Sequence, residues 1–246
     1  MAFWTKLFET KLKDTDLLVG ATELHCHILA GVDDGIQTDA DAQRAMEIYQ
    51  AWGFKRIVCT PHIMTDWGKN NHASLRERFA SFKELAPAGL ELKLAAEYML
   101  DDQFLARLEE PMLSINETHV LVETSYMAPS PIMDNQLYEL KVKGFTPILA
   151  HPERYVYMRE QDYKYWKNEG LLFQLNLLSL IGAYGSTAKK KAEWLLKSGY
   201  YDFVGTDTHR PKWLERGLAN FAIKNSLFKL LPPLVKNTID LVDNNF

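Results

Sequence analysis

Seven apolar, β-rich runs recur along this chain, near residues 21–28, 56–60, 90–97, 118–123, 146–151, 171–176 and 202–207, and this rhythm constrains the fold more than any other feature. Helix-like segments lie between them. Residues 38–53 start at Thr38 as an N-cap, carry Ala42, Ala45, Met46, Ile48 and Tyr49 at helical spacing, and stop at Gly53. Residues 74–86, 133–143 and 186–198 read the same way, the last two closed by Gly144 and Gly199. Apolar strands alternating with helices imply parallel βα units. Seven units exceed what one small sheet needs, so an α/β barrel is the simplest architecture. A chain of 246 residues can form such a barrel as a single domain, expected over 21–246. Ahead of it, Phe3, Trp4, Leu7 and Phe8 between lysines suggest an amphipathic helical extension over residues 1–20 that caps the domain, with membrane-surface or partner docking as the alternative. Residues 220–246 read as outer helix broken at Pro232-Pro233.

Composition narrows the function. Net charge is −4 and no basic stripe appears, so nothing argues for nucleic-acid binding. The run Lys189-Lys190-Lys191 is expected on a solvated helix face. Cys26 and Cys59 are the only cysteines, which gives no disulfide framework and fits a reducing cytoplasm. The start of the chain lacks the pattern of a signal peptide, and no apolar run approaches the ~18 residues of a membrane span.

In parallel α/β folds chemistry gathers at the carboxyl ends of the strands. The first strand, Glu23-Leu24-His25-Cys26-His27, places His25 and His27 on one face and Cys26 on the other, with Asp34 in the following turn. The next four strand ends deliver His62, Glu97, Glu123 and His151, the last followed by Arg154. The sixth offers Asn176, and the seventh repeats the i, i+2 arrangement with Asp207 and His209. Each residue alone has an ordinary explanation: a surface acid, a turn histidine or a satisfied core histidine. Nine on one rim do not, because clustered buried carboxylates are costly unless cations compensate them. A catalytic zinc uses about three protein ligands, so this set suits two or three divalent ions, with a carboxylate such as Glu97 bridging. Nitrogen and oxygen donors without thiolate favour manganese, iron, zinc or magnesium. His72 and His119 stand at the starts of their elements and are read as structural.

The blocks His25-x-His27, Gly31-Val32-Asp33-Asp34-Gly35, Thr60-Pro61-His62, His151-Pro152-Glu153-Arg154-Tyr155 and Asp207-x-His209 together resemble the PHP (polymerase and histidinol phosphatase) superfamily. More narrowly, they are similar to the bacterial manganese-dependent protein-tyrosine phosphatases of capsule and exopolysaccharide operons, the CpsB/YwqE type. The resemblance spans roughly residues 21 to 230 and implies a distorted (β/α)7 barrel with a three-metal site, manganese being the expected ion. By that resemblance His25, His27, Glu97 and Asp207 hold the first metal. Glu97, Glu123 and His151 hold the second, and Asp34, His62 and His209 the third. Arg154 matches the arginine that holds substrate phosphate. The implied partners are tyrosine autokinases with Tyr-rich tails. Thr206-Asp207-Thr208-His209-Arg210 departs from the common Ser-Asp-Ala-His-Asn. A second phosphate-binding arginine has no clear match, leaving Arg210 and Arg216 as candidates.

The expected chemistry is hydrolysis of a phosphate monoester by metal-activated water, with Arg154 on the non-bridging oxygens and His209 as a candidate general acid. Thiolate phosphatases place arginine six residues after the nucleophilic cysteine, but Val32 and Thr65 stand there. Trp67, Tyr98, Tyr126, Met127, Tyr155, Tyr157 and Tyr184 are candidates for an aromatic surface that stacks a phosphotyrosine ring, or for packing of the barrel's upper layer. Rival readings are a small-molecule phosphatase such as histidinol-phosphate phosphatase, a nuclease-like enzyme of the same superfamily, and a non-catalytic metal-stabilised binding module.

Overall fold

The computed structural model describes residues 8–243. Its strands are β1 (Glu9–Lys11), β2 (Thr22–Cys26), β3 (Arg56–Cys59), β4 (His62–Ile63), β5 (Glu91–Leu94), β6 (Glu97–Met99), β7 (His119–Glu123), β8 (Thr146–Ala150), β9 (Leu172–Asn176), β10 (Phe203–Gly205) and β11 (Ala222–Lys224). All pairs except β1–β11 are parallel, in a three-stranded sheet β2-β3-β5 and a six-stranded sheet β10-β9-β8-β7-β6-β4.

The chain passes directly from one sheet to the other at two places. Thr60-Pro61 separates β3 from β4, where the proline has no N–H for the ladder. Ala95-Ala96 separates β5 from β6. At the other edges, the Asp207 amide donates to the His25 carbonyl at 2.7 Å and the His27 amide to the Thr208 carbonyl at 2.9 Å. The parallel pairing brings the carboxyl ends of the strands to one side, and their side chains alternate between two apolar layers. Leu121 of β7 with Ile148 and Ala150 of β8 face a small inner cluster that includes Leu24, Val58 and Phe203 and is plugged by Leu241 and Val242. Val120, Val122 and Leu149 face the larger cluster under the helices.

Helices follow the expected spacing with shifted ends. Asp39–Ala51 is capped by the Thr38 hydroxyl, which accepts from the Asp41 amide at 3.1 Å. The helix expected from residue 74 begins at His72, because Asn71 and Ser74 form a capping box. Met133–Val142 and Gly185–Lys197 fall where expected. Glu160–Asn168 escapes sequence reading because it is a mostly polar segment whose single buried residue is Tyr163.

Two readings need correction. Residues 9–11 are strand and not helix: Glu9–Lys11 pairs antiparallel with Ala222–Lys224, and a single 3-10 turn, Leu12–Asp14, then carries Leu12 into the core. Phe8 is exposed, while Phe3, Trp4 and Leu7 lie outside the described residues. Pro232-Pro233 does not break the last helix but stands in its first turn, Leu231–Asp243. That turn has no intrahelical amide bonds for proline to remove.

Candidate metal centre

The two histidines of the first strand reach the site through a break in register. Pairing of β2 with β3 shifts between Glu23 and Cys26. Leu24 therefore faces the inner cluster, and His25 and His27 then take the site face. Cys26 turns into the outer core, beside Cys59 in register, and both cysteines are free and fully buried. That burial and direction leave no role for a cysteine nucleophile.

Four atoms converge at the floor of the site. His25 Nε2 and His27 Nε2 stand 3.2 Å apart. Glu97 Oε2 lies 3.2 and 3.3 Å from them, and Asp207 Oδ1 3.5 and 3.3 Å. The tautomers follow from the other ring nitrogens. His25 Nδ1 donates to Gln174 Oε1 at 2.9 Å, and His27 Nδ1 donates to Asp33 Oδ2 at 2.9 Å. With those protons committed, both Nε2 atoms present lone pairs to each other and to two carboxylates. Four acceptors aimed at one point repel unless a cation sits among them. The donor set thus fits a divalent ion.

Glu97 links this floor to the rest. Its Oε1 is 3.1 Å from His151 Nε2, and its Oε2 is 3.1 Å from His62 Nδ1, which is itself 2.9 Å from Glu123 Oε1. Both Glu97 oxygens, Glu123 Oε1 and His62 Nδ1 are buried without a hydrogen bond of proper geometry, although these neighbours are close. Atoms that crowd without aligning for hydrogen bonds fit ligands around shared cations. Nearer solvent, Asp34 Oδ1 lies 3.4 Å from His62 Nε2 and 3.5 Å from His209 Nε2, while His209 stacks on His27 at 4.1 Å. Three groups could each hold an ion: His25, His27 and Glu97; His62, Glu97 and Glu123; and His27, Asp34, His62 and His209. With Asp207 beside His25 and His151 beside Glu97, all nine residues chosen from the sequence meet at one place, and His27, His62 and Glu97 each stand in two of the groups.

The carboxylates and imidazoles of the cluster shift one another's protonation. Burial pushes Glu97 and Asp207 up, but His25 above all and the neighbouring imidazoles reverse this, so both carboxyls stay well below the usual range. Burial disfavours charge on His25, yet Glu97 and Asp207 hold its pKa above the ordinary imidazole value. Asp34, mainly through hydrogen bonding to His209 and His62, is strongly lowered.

The backbone is bent to aim these groups. His151 (φ 34°) and Asp207 (φ 53°) are the non-glycine residues with positive φ among those described. That region is unfavourable for such side chains and concentrates at functional sites. The Asp207 amide bond to His25 and the Asn176 Nδ2 bond to Asp207 Oδ2 at 3.2 Å help hold that bend.

Several supporting residues were not singled out from sequence. Asp33 accepts from His27 Nδ1, from the His62 amide at 3.0 Å and from the Gly35 amide at 2.9 Å. Gln174 orients His25; its place two residues before Asn176 on one strand was the available signal. Gly35 lets the loop close, since a Cβ there would stand 2.2 Å from the His27 carbonyl oxygen. Gly35→Ala is expected to destabilise the protein by about 1–3 kcal/mol, the usual cost of overpacking, and to displace His27. Urea denaturation and bound-metal analysis check this together.

Arg154 meets the same cluster. It pairs with Asp207 Oδ2 through Nη1, and its guanidinium lies 4.5 Å over the Tyr126 ring and 4.4 Å over Tyr184. Of the arginines proposed beside it, Arg210 spends Nη1 on the carbonyls of Asp34, Gly35 and His209 at 2.8, 2.6 and 2.7 Å, which ties the loop to the next helix. Arg216 is exposed in the last turn of Pro211–Ala219 and does not line the cavity at the site, so the fold does not bring it to the cluster. The aromatic candidates also divide. Tyr98 and Tyr155 are core residues with no exposure, Trp67 and Tyr157 are half-buried, Met127 is exposed, and Tyr126 and Tyr184 flank Arg154. His72 is structural as expected, bonded to Glu110 at 2.6 Å and the Tyr98 hydroxyl at 2.9 Å, and His119 bonds Asn116 and Thr118.

The lysine run departs from expectation. Lys191 turns inward, and its ammonium donates to the carbonyls of Tyr155 and Met158, the latter at 2.9 Å. It thereby fixes the segment that follows Arg154. Lys191→Met is expected to lower kcat/KM on an aryl phosphate about tenfold, a loss near the 1.4 kcal/mol of one charge-assisted hydrogen bond. Metal content should be unchanged, as steady-state kinetics with elemental analysis would record.

Fold and site together define a class: an α/β protein carrying a cluster of histidines and carboxylates suited to several metal ions at the ends of parallel strands. Within that class the chain belongs to the family described as capsular polysaccharide synthesis, CpsB/CapC, which it matches over residues 21–218. It is 29% identical over 220 residues to tyrosine-protein phosphatase YwqE of Bacillus subtilis (strain 168), covering 85% of this chain and 83% of that one. Tyrosine-protein phosphatase CpsB of Streptococcus pneumoniae is 23% identical over 231 residues, covering 87% and 95%. A crystal structure from a study of YwqE of Bacillus subtilis and CpsB of Streptococcus pneumoniae, described as unique metal-dependent tyrosine phosphatases, shares the fold. It aligns with a TM-score of 0.73 at 24% identity over 92% of this chain and 95% of that one. No described helix is long and apolar enough to cross a membrane.

Proposed function

We propose that this chain is a metal-dependent protein-tyrosine phosphatase. One observation carries the reading: the lone pairs of His25 and His27 converge with Glu97 and Asp207 on one point that calls for a cation. Family membership supports phosphotyrosine as the substrate, with the tail of a tyrosine autokinase of capsule synthesis as the protein that carries it. The proposed frame is a distorted barrel of seven parallel strands, counting β3–β4 and β5–β6 as single interrupted strands. Hydrogen bonds on both sides of the two sheets support it.

The proposed ligands are His25, His27, Glu97 and Asp207 for a first ion, Glu97, Glu123 and His151 for a second, and Asp34, His62 and His209 for a third. Manganese is the proposed ion, supported by hard oxygen and imidazole donors without thiolate. Scarce cysteine supports a cytoplasmic place. Bound cations would supply positive charge for the phosphoryl oxygens and lower the pKa of water to near neutrality.

The side chains do the rest. Asp33 and Gln174 hold His27 and His25 in the tautomer that offers Nε2. The Arg154 guanidinium packs over two tyrosine rings, which favours presenting its hydrogen-bonding edge to a phosphate. His209 donates Nδ1–H to the Asp207 carbonyl at 3.0 Å and points Nε2 at Asp34, an arrangement that suits a ligand better than a general acid. A phenolate leaving group lessens the need for an acid.

The test compares turnover of a phosphotyrosine peptide and of histidinol phosphate, with and without manganese. Manganese-dependent turnover of the peptide, abolished by chelator and insensitive to thiol alkylation, is expected. Preference for histidinol phosphate would favour the small-molecule phosphatase, and inertness toward both with metals bound would favour a binding module.

A further inference from the structure

A cavity of about 340 Å³ opens beside the outer part of the cluster. Its lining includes the polar Asp34, Asp207, His209 and Arg154 and the apolar or aromatic Leu178, Tyr184 and Trp213. Trp213 is 53% exposed although it is among the largest apolar side chains in the protein. Its ring meets Tyr184 edge-on, at 6.1 Å and 61°. Tyr184 in turn lies under the Arg154 guanidinium at 4.4 Å. The order from metal ligands to solvent is therefore carboxylates and imidazoles, then arginine, then tyrosine, then indole.

Trp213 is held in place. It is the third residue of Pro211–Ala219, whose first turn starts at Pro211, and its amide donates to the Arg210 carbonyl at 3.1 Å. Arg210 is anchored by three carbonyls around Asp34 and His209, so the backbone that carries the indole is tied to the loop that borders the cluster. An aromatic wall beside a phosphate site favours a substrate whose phosphate is attached to something flat and apolar.

We propose that Trp213, with Tyr184, forms a slot that receives the phenyl ring of the substrate, so that these two residues discriminate aryl from alkyl phosphates. The inference deepens the phosphatase reading and rests on it for the placement of the phosphate. The ring would lie between the indole and the apolar floor at Leu178, with its phosphorus end toward Arg154. An alkyl phosphate reaches the same polar groups but leaves the aromatic wall uncovered.

The experiment uses the full, manganese-loaded chain and two non-hydrolysable probes, phenylphosphonate and methylphosphonate, titrated calorimetrically. Wild type should bind phenylphosphonate more tightly. Trp213→Ala should reduce that preference about tenfold, on the scale of a lost aromatic contact, with methylphosphonate affinity unchanged and the preference restored by Trp213→Phe. An unchanged preference, an equal loss for both probes, or no binding of phenylphosphonate by wild type would overturn the slot. Failure of the phosphatase reading is seen separately, as a manganese-loaded wild type that binds the aryl probe selectively and still leaves a phosphotyrosine peptide intact.

Discussion

Glu97→Gln is expected to lower phosphotyrosine turnover by at least about 10³-fold, the scale for losing a group that organises transition-state charge, and to empty at least two metal positions. The two oxygens of this fully buried carboxylate face four imidazoles, from His25, His27, His62 and His151, at 3.1–3.3 Å. An amide keeps the shape but places an NH2 group where a second oxygen stood. That group can donate to an imidazole lone pair, so it satisfies the nitrogen that a cation would otherwise occupy. The variant should therefore fold and lose metal. A ligand present at 100 times its dissociation constant stabilises by about 2.7 kcal/mol, and for a chain of this size one kcal/mol moves Tm by about 2–4 °C. Tm should thus fall about 5–10 °C, to the value of chelator-treated wild type. Elemental analysis, thermal melts and peptide turnover check the three parts together.

Arg154→Lys is expected to cost about 10²–10³ in kcat/KM, the range for removing one preorganised donor, while leaving the metal content intact. The planar guanidinium packs over the Tyr126 and Tyr184 rings and is tethered to Asp207. An ammonium keeps the charge but has neither the plane nor the fork. Because the lost contacts strengthen as charge moves onto the phosphoryl oxygens, kcat should fall more than KM rises. Steady-state kinetics on a phosphotyrosine peptide separates the two.

The sequence made the strand ends and their nine polar residues legible, because period-two alternation and short apolar runs survive without tertiary information. His25 and His27 could be placed on one face, and Asp207 and His209 were visible as an echo of that pattern. What the sequence could not show were features set by three-dimensional closure. The register break in β2 brings Leu24 and His25 to one side, and no local pattern announces it. Gln174 and Asp33 act on histidines 149 and 6 residues away, and their residue types are common in sheets and turns. Lys191 looked like part of a solvated charge run because its carbonyl partners lie some 35 residues earlier in the chain. Residues 9–11 were misread as helix because their partner strand lies near the other end of the chain. Arg210 and Arg216 are both candidates for the arginine that the family resemblance implies; the structure places the first at the helix N-cap against the Asp34 loop and the second in the exposed last turn.

The most direct test of the central claim is anomalous scattering from crystals of the manganese-loaded protein. The account predicts two or three anomalous peaks among His25, Glu97, Glu123, His151, Asp207 and His209, one of them between the Nε2 atoms of His25 and His27. Crystals without a peak inside that ring of side chains, or with manganese bound only elsewhere, would contradict it.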